Sequence, residues 1–303
     1  MKLRHFLTLM DLSHAELTSL LQRAIQLKAM VQRDEHYEPL HGKVLAMIFD
    51  KSSTRTRVSF QTGMAQLGGT SLFLAPRDTH LGRGEPIEDT ARVLSRMVNA
   101  VVIRTHAHAT LEAFAAHASI PVINALTDMY HPCQLLADLQ TYAERRGDIR
   151  GKSVAWIGDG NNVCHSWINA AHLMDFELRI ATPPGYKPNG TLLERSRKHL
   201  VLTHDPAEAV RNADVVVTDT WASMGQENEK SRRERDFSGF LVNQDLMARA
   251  KADALFMHCL PAYRGCEVTP EVIDGPQSVV WDEAENRLHS QKALLELLLN
   301  VRR

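Results

Sequence analysis

The chain has 303 residues, of which 44% are hydrophobic and 23% charged, with a formal net charge of −1. That is an ordinary globular composition, long enough for one large or two smaller domains, and its near-neutral field excludes a partner recruited by bulk charge, such as nucleic acid or a membrane surface. No apolar run approaches the ~20 residues that cross a bilayer. Four scattered cysteines (Cys133, Cys164, Cys259, Cys266) include no CxxC pair, which excludes a disulfide framework. His106-Ala107-His108 has no second ligand cluster at zinc-like spacing, so no metal is expected. Polar residues follow Met1–Phe6 within a dozen positions, unlike a signal peptide, and a cytoplasmic location is expected.

In chain order, the spacing first predicts an amphipathic helix from Asp11 to about Gln32. Ser13 and Glu16 have capping-box spacing, and Leu17, Leu20, Leu21, Ala24 and Leu27 form one apolar face. Short β-rich runs at 43–49, 70–74, 100–104 and 120–124 then alternate with helical patterns near 53–67, 87–98, 109–118 and 132–146. A polar stretch, Arg145–Gly151, closes the last of these. The alternation restarts with strands at 153–158, 177–182, 200–203, 213–218, 254–258 and 278–281, and a leucine-rich helix over about 283–300 ends it. Strands alternating with helices imply parallel sheets covered on both faces. The expected fold is α/β: two doubly wound parallel-sheet domains, 1–146 and 147–284, with the active site in the cleft between them. The helix over 285–303 is expected to pack back on the first domain. Two loops stand out, Pro76–Pro86 and the charged Gly225–Gly239; the composition of the second is that of a solvated loop, and its position after a candidate site makes it a candidate mobile lid.

Ligands of open parallel sheets sit beyond the carboxyl ends of the strands. Six polar clusters fall there. Ser52-Ser53-Thr54-Arg55-Thr56-Arg57 lies where a strand gives way to a helix, so hydroxyls, guanidiniums and free backbone N–H groups make a socket for a phosphate-like dianion. Arg104, His131-Pro132-Cys133-Gln134, Gly158-Asp159-Gly160-Asn161-Asn162, Asp219-Thr220-Trp221 and His258-Cys259-Leu260-Pro261 end or follow the others. Each has a plainer reading: His131 and Asp219 could cap helices, Arg104 could lie on the surface, and Cys259 could be an inert core thiol. Gly158-x-Gly160 after a strand suggests a dinucleotide turn, but Val163 stands where a third glycine belongs. The second strand of that set also ends without an acid for a ribose.

With these residues in view, the chain resembles the aspartate/ornithine carbamoyltransferase family over essentially its whole length. Ser53–Arg57 looks like the family's carbamoyl-phosphate signature and His131–Gln134 like its second element. Asp219–Gly225 and His258–Pro261 resemble the ornithine branch in particular. The resemblance implies transfer of the carbamoyl group of carbamoyl phosphate to the δ-amine of L-ornithine, giving citrulline and phosphate. It also implies a homotrimer or a multiple of trimers, and no metal or organic cofactor is expected to take part. It further implies that Ser53, Thr54, Arg55 and Thr56 hold the phosphate, with Arg104 bridging phosphate and carbonyl oxygen. His131 donates to that oxygen and Gln134 binds the carbamoyl amine, while Arg287 completes the carbamoyl-phosphate site. Asn162, Asp219, Ser223 and the Met224 backbone position ornithine, and Cys259 and Leu260 line the reacting centre.

The chemistry fits. The attacking amine must be neutral although such amines titrate near ~10.4, so losing the proton near neutral pH costs about 4 kcal/mol. A proton acceptor is therefore needed. Cys259 and Asp219 are the candidates, with the Cys259 thiolate favoured. His80 stands where the family usually carries a glutamine that reaches carbamoyl phosphate. Other acceptor amines (putrescine, N-acetylornithine) and a non-catalytic amino-acid- or oxyanion-binding protein are the alternatives. An acetylated amine could no longer pair with Asp219.

Overall fold

The computed structural model describes residues 3–75, 84–222 and 227–301. Contacts divide the chain into one unit of residues 1–140 with 285–303 and another of residues 141–284. Along the chain the first elements are α1 (His14–Gln32), β1 (Val44–Phe49), α2 (Thr54–Gln66), β2 (Thr70–Leu74), α3 (Ile87–Leu94), β3 (Ala100–Arg104), α4 (His108–His117), β4 (Val122–Leu126) and α5 (Pro132–Arg146). They are followed by β5 (Ser153–Ile157), α6 (Asn162–Met174), β6 (Glu177–Ala181), α7 (Gly190–Arg195), β7 (Leu200–Thr203) and α8 (Pro206–Val210). The series closes with β8 (Val215–Thr218), α9 (Lys230–Asp236), α10 (Gln244–Met247), β9 (Leu255–His258), α11 (Pro270–Ile273) and α12 (Val280–Leu298).

In the first unit a parallel sheet runs in the order β2-β1-β3-β4. Its inner strands are apolar until β3 ends at Arg104, and Ala46, Ile48, Val101 and Ile103 pack with Leu111 and Phe114 of α4. The chain's start covers the β4 edge. Phe6 N donates to Val122 O at 2.8 Å and Asn124 N to Phe6 O at 2.8 Å, so one edge of the sheet is closed. The Ser13–Glu16 capping box opens α1, with Glu16 N donating to Ser13 Oγ at 3.3 Å and Ser13 N to Glu16 Oε2 at 2.9 Å. The part of α12 in this unit packs against α2 where Gly63 leaves room, since a Cβ there would stand 3.2 Å from Lys292 Cγ. Arg23 of α1 holds the same helix through Glu296, at 2.7 and 2.9 Å.

In the second unit a parallel sheet runs β7-β6-β5-β8-β9. The strand expected at 278–281 does not form. Ser278 makes one bridge to Phe256, and α12 begins at Val280. The run Ser278–Trp281 is too short for its apolar content to decide between strand and helix. Asp282 and Glu283 decide it, because carboxylates suit the positive end of a helix.

Candidate active site

Both sheets reverse their strand order once, between β1 and β3 in the first unit and between β5 and β8 in the second. Such switch points leave a crevice at the strand ends, because adjacent connections depart to opposite faces. The sequence places Ser53–Thr56 and Arg104 at the first switch, and Asp159–Asn162 and Asp219 at the second.

In the first unit Ser53 caps α2, its Oγ accepting from Thr56 N at 3.4 Å. The socket is finished from a distant part of the chain. Arg287 of α12, 2% exposed, donates from Nη1 to Gln134 Oε1 (2.7 Å) and from Nη2 to Thr56 Oγ1 (3.1 Å). Gln134 Nε2 in turn donates to Asp138 Oδ1 at 2.9 Å. With its amide oriented to suit its neighbours, Gln291 donates to Ser59 Oγ (2.6 Å) and accepts from Arg287 Nε (3.2 Å). One guanidinium thus fixes two of the predicted ligands. Arg57 lies elsewhere, stacked 3.8 Å over the Phe73 ring, which leaves Arg55 as the arginine of that turn.

Electrostatics in this unit suit an anion. His131 is 5% exposed, and burial together with the positive charges of Arg287, Arg104 and Arg55 holds its pKa well below the usual 6.5. A neutral imidazole there offers one N–H to a carbonyl oxygen without having to lose a proton first. Its neighbour Cys133 is structural: buried, donating to Asn124 O at 3.3 Å, with its thiol pushed up to about 12.

In the second unit Asp219, 7% exposed, gathers three donors. Oδ1 accepts from Thr220 N (2.7 Å) and Cys259 Sγ (3.1 Å), and Oδ2 accepts from Asn161 Nδ2 (2.7 Å). Asn161 also caps α6, its Oδ1 accepting from Val163 N (3.0 Å) and Cys164 N (3.1 Å). It therefore ties a helix N-terminus to the carboxylate. The sequence offers the Asn161 and Asn162 amides together, and the resemblance implies Asn162 as the ligand; the contact to Asp219 is made by Asn161, whose capping position after a strand is the signal for both of its roles.

Arg233, inside a charged run that reads as solvent-exposed, is 6% exposed. Its Nη1 donates to Asp159 Oδ2 and to Trp221 O, both at 2.8 Å, and its Nε to Glu229 Oε2 at 3.1 Å. The guanidinium also lies 5.0 Å over the Tyr186 ring. It joins the loops after β5 and β8. Burial raises the Asp159 pKa against the pull of Arg233.

At the end of β9, His258 Nδ1 faces Leu260 N at 2.9 Å and its Nε2 faces Glu267 Oε1 at 3.1 Å. Among the described residues, Asp219, His258 and Cys259 offer metal-ligand atoms within 4.8 Å of one another. Both ring nitrogens of His258 are already engaged, which leaves a carboxylate and a thiol and no closed ligand set. Ser223, Met224 and His80 lie outside the described residues.

The glycines after β5 have a packing cause. Gly158 has φ of +138°, and a Cβ on Gly160 would stand 2.3 Å from Pro188 N and 2.6 Å from Lys187 C. A backbone crosses where a dinucleotide turn would bring its pyrophosphate.

Comparison with known proteins agrees along the whole length. The carbamoyl-phosphate-binding domain model of aspartate/ornithine carbamoyltransferases matches residues 4–144, and the Asp/Orn-binding domain model matches 150–298. An ornithine carbamoyltransferase of Methylococcus capsulatus is 66% identical over 301 residues, covering 99% of this chain and 100% of that one. The crystal structure of ornithine carbamoyltransferase from Burkholderia thailandensis superposes with a TM-score of 0.93 at 52% identity, covering 99% and 100% of the two chains. The enzyme from Pyrococcus furiosus superposes at 0.95 with 48% identity, covering 99% and 98%.

Proposed function

The chain belongs to the aspartate/ornithine carbamoyltransferase family, and from that premise we propose how its residues divide the work. It is a transferase that moves the carbamoyl group of carbamoyl phosphate to the δ-amine of L-ornithine, giving L-citrulline and phosphate in arginine metabolism. Ser53, Thr54, Arg55 and Thr56 bind the phosphate at the start of α2, where backbone N–H groups and the helix dipole favour a dianion. Arg104 bridges phosphate and carbonyl oxygen, and neutral His131 donates to that oxygen as charge develops on it. Gln134 accepts from the carbamoyl amine. Arg287, seated between Gln134 and Thr56, fixes their geometry and adds the positive charge that completes the carbamoyl-phosphate site.

Asn162, Asp219, Ser223 and the Met224 backbone take the amino acid, with Leu260 and Cys259 at the reacting centre. The observation that carries the assignment of the amine is the Cys259–Asp219 contact. As it stands the thiol donates to Asp219 Oδ1. An ornithine ammonium competes for that oxygen and places a cation beside the sulfur, which lowers a thiol's pKa. The thiol proton passes to solvent, the thiolate takes the ammonium proton, and the neutral amine bonds to the carbonyl carbon; as the carbon–oxygen bond breaks, the surplus proton on that nitrogen leaves with the phosphate. The test is citrulline formation by the purified protein. Carbamoylation of putrescine or N-acetylornithine in preference to ornithine would overturn the amine assignment.

We further propose a homotrimer. Val58 of α2, Leu72 of β2, Val93 of α3 and Met97 are 54%, 50%, 45% and 72% exposed in the single chain, and they would be covered by neighbouring copies. Sedimentation of Met97→Lys combined with Val58→Glu should show dissociation. A cytoplasmic location accords with four free cysteines, one of them in the site. Among the described residues no helix is long and apolar enough to cross a membrane.

A further inference from the structure

We propose that His258 is a positioning residue, whose ring, locked by Glu267, sets the backbone of Leu260 and so the reacting-centre turn Cys259-Leu260. Leu260 has φ of +57°, the left-handed region that a leucine adopts only when its surroundings impose it. The surroundings are on hand. The Leu260 N–H can only donate, so the His258 Nδ1 it meets at 2.9 Å must be the nitrogen without a proton. The ring proton therefore sits on Nε2 and points at Glu267 Oε1, 3.1 Å away. The same Oε1 accepts from Tyr263 N at 2.7 Å, on the far side of the turn, and Glu283 Oε2 accepts from His258 N at 3.1 Å.

The side chains of His258 and Glu267 are 0% and 1% exposed. A ring so enclosed acts through the backbone. Burying an imidazole and a carboxylate is costly unless each polar atom is used, and here each tautomer-defining atom is. An apolar pair would fill the same space but would leave the Leu260 N–H to choose its own direction. The inference rests on the carbamoyl-transfer reading, in which Cys259 and Leu260 line the reacting centre.

Two substitutions separate positioning from packing. His258→Asn keeps an acceptor where Nδ1 stands and loses the donor to Glu267. His258→Gln keeps a donor where Nε2 stands and loses the acceptor for Leu260. Both disturb the buried pair, so both should lower thermal stability. Per folded molecule, His258→Gln should lower kcat about 100-fold, the scale for losing one aligned backbone group at a reacting centre. His258→Asn should stay within about ten-fold of the parent. Equal kcat values for the two variants would overturn the proposal. Should neither variant fold, nitrogen NMR of the unaltered protein decides: a His258 ring protonated on Nε2 supports the arrangement, and one protonated on Nδ1 overturns it. If the unaltered protein forms no citrulline, the functional reading fails, while the tautomer measurement still reports on the turn.

Discussion

Arg233→Met leaves the Asp159 carboxylate buried without its cation. Asp159 is 8% exposed and Arg233 6%, so little water can replace the lost partner. Removing one member of such a pair costs about 3–5 kcal/mol, because the desolvated charge stays behind. Spread over a unit of roughly 150 residues, this lowers Tm by roughly 10 °C. Adding Asp159→Asn removes the stranded charge and should restore at least half of the loss; the Trp221 carbonyl and Glu229 would still lack their donor. The pH dependence has a definite sign. Burial already raises the Asp159 pKa, and without Arg233 its main opponent is gone, leaving only the hydrogen bond from the Gly160 backbone against it. Above the unfolded value the native state of the variant then binds a proton that the unfolded chain does not, so its stability rises as pH falls. Calorimetry of parent, single and double variants at pH 5 and pH 8 should show a smaller deficit at pH 5. A deficit equal at both pH values, or a double variant no better than Arg233→Met, would refute the account.

Further outcomes follow from the same contacts. Cys259→Ser should reduce kcat by about 10²–10⁴, the range for a positioned proton-transfer group, and retention of most turnover would remove the thiol from that role. Asn161→Ala loses a helix cap worth about 1 kcal/mol and frees Asp219 Oδ2. The KM for ornithine should rise about ten-fold while that for carbamoyl phosphate stays put, and a change in both would show that the damage is general. His131, with its pKa well below 6.5, and His289, held at about 4 chiefly by burial, are neutral in the free protein. Below pH 6.5 the unfolded chain binds protons that these rings refuse, so stability present above that pH is lost as it falls, with a slope of roughly one proton per ring. Acid titration of His289→Gln should show a shallower slope, and an unchanged slope would count against the burial of that ring's charge.

Much of this was legible in the sequence because periodicity and strand-end chemistry act locally. Runs such as Val44–Phe49 and Val215–Thr218 have the apolar content of strands buried on both faces, and the polar residues after them had little choice but the crevice. What could not be read depends on partners far along the chain. Arg233 sits in a segment whose composition describes a solvated loop, and its reasons to be buried lie elsewhere: Asp159, 74 positions earlier, the Trp221 carbonyl and the Tyr186 ring. Arg57 and Arg55 are indistinguishable by spacing, yet Phe73 captures the first. Gly160 looks like part of a nucleotide turn until residues 187 and 188 are seen passing over it. The failed strand at 278–281 is a contest of local signals in which two carboxylates outweighed β-branched residues.

The seating of Arg287 has a consequence for synthesis. Thr56 and Gln134 belong to the first half of the chain, but the guanidinium that orders them, and the Gln291 that holds it, come from its last stretch. At about 5–20 residues per second a ribosome takes roughly 10–30 s to add the intervening residues. Through that interval the first unit can form its sheet while the turn proposed to bind phosphate lacks a neighbour. A nascent or late-truncated chain is therefore a poor trap for carbamoyl phosphate, and competence arrives with the final helix.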